Sequence, residues 1–158
     1  MPNILLTRID NRLVHGQVAA QWCGSIGANL ILVANDDVEK DTLRQGLMDM
    51  AAPSYASMRY WSLENTINNI NKAADRQLIF IVCETPEDVL KLVEGGVPIK
   101  KVNIGNMHML EGKRRVTGSV AVDDKDVEVF KKLRELGIEL EIRRVPSDPS
   151  ENTELLFK

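Results

Sequence analysis

The sequence predicts an open, mostly parallel, twisted α/β sheet with helices on both faces, in a single domain. Three observations lead there. Short apolar runs alternate with longer amphipathic stretches along the whole chain. The runs are continuous and not alternating, as in strands covered on both faces. A length of 158 residues, with no linker, repeat or low-complexity stretch, suits one ordinary core.

The elements follow in order. Ile4-Leu5-Leu6 is the first strand, and a helix is expected to start near Gly16. Leu30-Ile31-Leu32-Val33-Ala34 is the second run, followed by a helix over 38–51 with Leu43, Leu47 and Met50 on one face. The segment 54–61 holds Tyr55, Met58, Tyr60 and Trp61. It reads as strand and rim packing ahead of a protein-docking patch. A helix over 63–74 groups Ile67, Ile70 and Ala74. Leu78-Ile79-Phe80-Ile81-Val82 is the next strand. The helix over 86–94 opens on the cap Thr85 with proline behind it and closes at Gly95-Gly96. Val102-Asn103-Ile104 is a strand, and 123–136 is a helix with Val127, Phe130, Leu133 and Leu136 on one face and Gly137 as its stop. In the final strand, 138–142, Glu139 and Glu141 alternate outward. Residues 146–158 read as a loosely docked tail in which Leu155-Leu156-Phe157 can pack back.

Composition narrows the function classes. The chain is 44% hydrophobic and 27% charged with a formal net charge of −3, so it is globular and has no basic block for nucleic acid. Cys23 and Cys83 are far apart and read as reduced, buried thiols. No apolar run approaches the roughly 20 residues that span a bilayer, and the N-terminus has no signal-peptide pattern, which predicts a cytoplasmic protein. No phosphate loop, dinucleotide fingerprint, nucleophile elbow or metal-spaced set is present, so no cofactor and no metal are expected.

In a doubly wound sheet, ligands bind beyond the carboxyl ends of the strands, near the point where strand order reverses. Four stretches stand there: Arg8-Ile9-Asp10-Asn11-Arg12, Asn35-Asp36-Asp37, Glu84-Thr85, and Gly105-Asn106-Met107-His108. The first is the richest, because His15-Gly16-Gln17 follows it directly. Two arginines, a carboxylate and an imidazole thus lie ahead of a helix N-terminus. Uncapped N–H groups and planar guanidinium forks both suit a phosphate. At about 4 Å and an effective dielectric near 20, one charge pair is worth about 4 kcal/mol before desolvation. That exceeds the ~0.3–1 kcal/mol of a helix end. Arg12 and Arg8 should therefore dominate, with Asp10 orienting a neighbour. His108 is the other candidate imidazole; His15 is preferred because it has arginines beside it. A non-catalytic anion-binding or regulatory module on the same fold is the competing reading.

The run Arg8-Ile9-Asp10-Asn11-Arg12-Leu13-Val14-His15-Gly16-Gln17-Val18 resembles the active-site loop of the mannose/fructose/sorbose-type enzyme IIB family and matches its RIDxRLxHGQV signature in full. The resemblance extends through 29–36, 103–108, 120–123 and 139–146. It implies an open parallel sheet and a phosphotransferase-system sugar-uptake role. By that resemblance His15 is the phosphoacceptor, with Nδ1 the phosphorylated atom, and Arg12 and secondarily Arg8 hold the phosphoryl group. Asp10, Asn11, Gly16, Gln17, Asn35, Asp36, Thr85, Asn106 and His108 surround the site. The donor would be a phosphohistidine of enzyme IIA on a separate chain. The acceptor would be a sugar moved by the membrane components IIC and IID, which would keep the protein at the inner face of the membrane. The family includes dimers, and N-acetylgalactosamine or galactosamine members look nearest.

Overall fold

The computed structural model describes residues 1–158. Six parallel strands make one sheet. They are β1 (Asn3–Asp10), β2 (Leu30–Ala34), β3 (Ser57–Trp61), β4 (Leu78–Cys83), β5 (Lys101–Asn106) and, later in the chain, β8 (Glu139–Ile142). Their spatial order is β3-β2-β4-β1-β5-β8, so β1 is central and the order reverses between β1 and β4. Two short strands unforeseen from sequence, β6 (Arg114–Arg115) and β7 (Ala121–Val122), form an antiparallel pair after β5.

The helices are α1 (Val18–Ile26), α2 (Thr42–Ala51), α3 (Leu63–Asn69), α4 (Pro86–Glu94) and α5 (Asp124–Glu135). Two cores flank the sheet. Ala19, Trp22 and Cys23 of α1 and Met48 of α2 pack with Ile31, Val33, Phe80 and Val82 on one face. Leu63, Val89, Leu92, Phe130 and Leu133 of α3, α4 and α5 cover Ile79, Ile81, Val102 and Ile104 on the other. Strands buried on both sides explain the unbroken apolar runs. Both cysteines are free and buried. No helix is long and apolar enough to cross a membrane.

Several expectations need correction. The first strand does not stop at Leu6; β1 runs to Asp10, so Arg8 and Asp10 are strand residues and not loop residues. The helix expected over 38–51 is broken at Asp41. A 3₁₀ turn covers Val38–Lys40, and α2 starts afresh where the Asp41 carboxylate accepts the Arg44 N–H at 3.1 Å. Its inner face carries Met48 and Gln45, whose amide bonds the carbonyls of Val38 and Glu39, while Leu43, Leu47 and Met50 are exposed. α3 ends at Asn69 and a 3₁₀ turn, Ile70–Lys72, completes it. Leu136 lies past the end of α5 and is exposed.

Glu139 faces out as expected, but Glu141 is packed. It accepts a hydrogen bond from Asn103 and meets Arg143 and Lys101. Residues 146–158 are held more firmly than their composition suggests. Glu151 pairs with Ile142, Leu156 is fully buried, Arg114 donates to the carbonyls of Leu155 and Leu156, and the Arg134 guanidinium lies 3.9 Å from the centre of the Phe157 ring. The cap of α4 is as read: the Thr85 hydroxyl accepts the Asp88 N–H at 3.1 Å.

Candidate functional site at the carboxyl end of the central strand

The last residues of β1 present their side chains at the reversal point. Arg8 is 1% exposed, a charge in the middle of the sheet. Such a charge persists only where every proton finds a partner. Its Nη1 donates to Asn103 Oδ1 at 2.6 Å and to the Arg143 carbonyl at 3.3 Å, and its Nη2 donates to Asp10 Oδ2 at 3.2 Å. The Trp22 ring centre lies 5.6 Å from the guanidinium carbon. Gly105 leaves the space: a Cβ there would stand 2.0 Å from Arg8 Cζ. Burial lowers the proton affinity of this guanidinium and Asp10 opposes that shift.

Asp10 is equally buried and joins two arginines. Its Oδ1 accepts the backbone N–H of Arg12 at 2.9 Å and the Arg12 Nε–H at 3.4 Å. Asp10 therefore orients Arg12, whose side chain is 38% exposed, and holds Arg8. Arg8, expected at the phosphate, is enclosed and bonded through both terminal nitrogens; it is placed to fix Asp10 rather than to meet a ligand. The Asn11 N–H donates to the Asn106 carbonyl at 3.0 Å and the two side-chain amides are bonded, so the start of the loop is pinned to the end of β5.

The loop then turns sharply. Leu13 takes a left-handed φ of 60°, which is strained for a residue with a branched side chain, and its N–H closes on the Asp10 carbonyl at 2.9 Å. Leu13 and Val14 are buried on the α1 side of the sheet and anchor the turn. His15, Gly16 and Gln17 beyond them are exposed. Gly16 also has a positive φ, of 54°. α1 begins at Val18, two residues later than expected, and no side chain caps its N-terminus.

The other candidates separate into three groups. Arg12 and Asn106 line a cleft of about 430 Å³ with Ser119, Arg143, Arg144 and Asp148. Asn11, Thr85 and His108 line another of about 520 Å³ with Glu84, Lys113 and Asp123. His15 lines neither. Asn35 and Asp36 are occupied elsewhere: Asn35 Oδ1 accepts the N–H groups of Asp37 and Val38 at 3.1 and 3.0 Å, and Asp36 accepts the Leu63 N–H at 2.9 Å. Near Glu84, the Asp88 carboxyl is pushed up to about 6 by burial and by the charges of Glu84, Asp36 and Glu87.

Sequence reasoning left Trp22, Arg143 and Arg144 out of the site and gave no role to Asn103, read as a strand residue, or to Gly105, named only within the loop after that strand. A signal existed for two of them. Asn103 interrupts an apolar strand run and Gly105 sits at its end, the marks of a buried polar contact and a close approach.

The reversing parallel sheet thus carries an exposed histidine turn and an oriented arginine at its carboxyl edge. The chain belongs to the sorbose-subfamily IIB components of the phosphotransferase system, whose family model matches residues 4–158. It is 49% identical over 150 residues to the N-acetylgalactosamine-specific phosphotransferase enzyme IIB component 2 of Escherichia coli, covering 95% of this chain and 96% of that one. It is 43% identical over 147 residues to the E. coli mannose-specific EIIAB component, of which it spans 45%. Among solved structures, the N-acetylgalactosamine-specific IIB component 1 of E. coli superposes with a TM-score of 0.92 at 49% identity, covering 95% of this chain and 99% of that one. Members of this family are phosphotransferases of sugar uptake that act with IIA and membrane components.

Proposed function

We propose that His15 carries the phosphoryl group between a phosphohistidine of enzyme IIA and a sugar moving through IIC and IID at the inner face of the membrane. One observation carries this reading: an exposed imidazole tops a turn whose anchors, Leu13 and Val14, are buried, three residues from a guanidinium held by Asp10. Exposure lets two partners reach the ring in succession. The open N-terminus of α1 and the Arg12 fork add positive potential beside it.

In the first transfer the lone-pair nitrogen of the His15 ring bonds phosphorus as the donor's N–P bond breaks. Each ring keeps its own N–H, so no proton crosses. In the second, a sugar hydroxyl oxygen bonds phosphorus as the His15 N–P bond breaks, and the hydroxyl proton passes to a base on the acceptor side. Both steps ask the protein for positioning and charge stabilisation. Nδ1 is the reading for the phosphorylated atom. The N-acetylgalactosamine specificity of relatives 49% and 50% identical supports an amino sugar as the cargo.

The test uses phosphoenolpyruvate, enzyme I, the carrier HPr and the cognate IIA. One acid-labile phosphate per chain is expected, lost in His15→Asn and kept in His108→Asn. Labelling that survives His15→Asn would overturn the assignment.

A further inference from the structure

The cleft beside Arg12 has a wall of unusual construction. β8 ends at Ile142, yet the next two residues are gripped by buried side chains from three other elements. The Arg143 carbonyl accepts from Arg8 Nη1 at 3.3 Å and from Asn103 Nδ2 at 3.1 Å, and the Arg143 N–H donates to the Ile104 carbonyl at 3.2 Å. The Arg144 carbonyl accepts Trp22 Nε1–H at 3.0 Å. The same Arg8 reaches Arg12 through Asp10. One buried assembly therefore sets both walls of the cleft.

The side chains on that wall are underused. Arg143 Nε lies 3.1 Å from Glu141 without hydrogen-bond alignment. Arg144, 61% exposed, has only a 3.7 Å contact between its Nε and Asp148. Three guanidiniums, Arg12, Arg143 and Arg144, line the cleft with two carboxylates, Asp148 and Glu151, and with Asn106, Thr117 and Ser119; Arg12 and Arg143 each give one edge to a carboxylate outside the lining, Asp10 and Glu141, and Arg144 is the least engaged. A cleft lined by guanidinium edges, one of them nearly free, and by several hydroxyl and amide donors fits an oxyanion.

We propose that this cleft is a phosphoryl-oxyanion subsite in which Arg144 faces Arg12, and that Trp22 and Arg8 are positioning residues that hold Arg144 there. The proposal rests on the phosphocarrier reading above and adds to it a second cation, remote in sequence, for the group in transit. Arg12 and His15 are three residues apart, so their Cα atoms lie within about 11 Å by chain geometry.

Two measurements test it. Single-turnover transfer from phosphorylated IIA should slow about 10-fold in Arg144→Ala, with an unchanged melting temperature, and Arg144→Lys should recover part of the loss. Trp22→Phe keeps an aromatic ring in the core while removing the indole N–H; it should slow transfer in the same direction. The double variant Trp22→Phe/Arg144→Ala should be no slower than Arg144→Ala alone, because the tryptophan acts through that side chain. Losses that multiply, or wild-type rates in Arg144→Ala, would overturn the subsite.

The second measurement is independent of His15. Inorganic phosphate titrated into the unphosphorylated chain, followed by the arginine Nε–Hε signals, should shift Arg12 and Arg144 and bind about 10-fold more weakly in Arg144→Ala. Silence at Arg144 in a chain that still labels at His15 sinks the subsite and leaves the carrier reading standing. Failure of His15 to label, with the Arg144 shift present, does the reverse.

Discussion

Arg8 and Arg12 are four residues apart, both bonded to Asp10, and opposite in use. Arg8 is enclosed by Asn103, Trp22, Gly105 and the Arg143 carbonyl, and all its effect is spent inside the molecule. Arg12 touches the same carboxylate with one edge and leaves the rest of its fork to solvent and the cleft. Identical chemistry becomes scaffold or tool according to how much of it the fold satisfies. A charge walled in by its partners cannot serve a ligand, whereas a charge aimed by one partner can.

The largest test of that contrast is Arg8→Met. It leaves Asp10 buried with half its pairing gone, and a broken buried pair costs about 3–5 kcal/mol. At about 2–4 °C per kcal/mol for a chain of this size, the melting temperature should fall by roughly 6–20 °C. A fall under 2 °C would show that Arg8 is not scaffold. Arg12→Ala should do the opposite. Stability should move by no more than about 0.5 kcal/mol, as for an exposed side chain. Transfer from phosphorylated IIA should drop about 10²-fold, or about 2.7 kcal/mol of barrier. A collapsed melting temperature there would erase the distinction.

Gly105→Ala sharpens it further. The added methyl meets a guanidinium that has nowhere to go, which should cost about 2 kcal/mol. In the Arg8→Met background the same change should cost far less, and chemical denaturation of the four proteins measures the coupling. The smallest effect concerns Asp88, a carboxylate that lacks what Asp10 has. Its folded value of about 6 lies above the ordinary 3.8, so the folded state loses stability as pH rises from about 4 to 6 and carries that loss above 6. Asp88→Asn should stabilise by up to about 1 kcal/mol at pH 7 after solvent screening, and by nothing below about pH 4. An equal gain at pH 4 and pH 7 would refute the assignment.

The strands were legible because burial on both faces leaves a mark that needs no partner: Leu30–Ala34 and Leu78–Cys83 announce themselves locally. The candidates of the first loop could be singled out too, since His15, Arg12 and Asp10 are neighbours in sequence. Arg8 was misplaced for the converse reason. Charge next to an apolar run normally marks the run's end, and what reverses that here, Asn103, is 95 residues away. The face of α2 was inverted by a local detail. Reading one helix from Val38 selects Leu43, Leu47 and Met50. The restart capped by Asp41 presents Gln45 and Met48 to the sheet instead, and Gln45 is tolerable there because the Val38 and Glu39 carbonyls need its amide. Arg143 and Arg144 carried no local signal, for their role depends on where the last strand stops.

The central position of β1 has a consequence for the birth of the protein. Its neighbours in the sheet are β4 and β5, so the strand made first waits longest for its partners: Asn3 meets Leu78, and Arg8 meets Asn103. At roughly 5–20 residues per second, about 5–20 s of translation separate the two sides of that seam. Until then a ribosome-bound chain exposes Ile4–Leu6 and an unmatched Arg8–Asp10 pair. The histidine turn can take its shape only after most of the polypeptide exists, and folding that depends on such distant pairings is intrinsically slow.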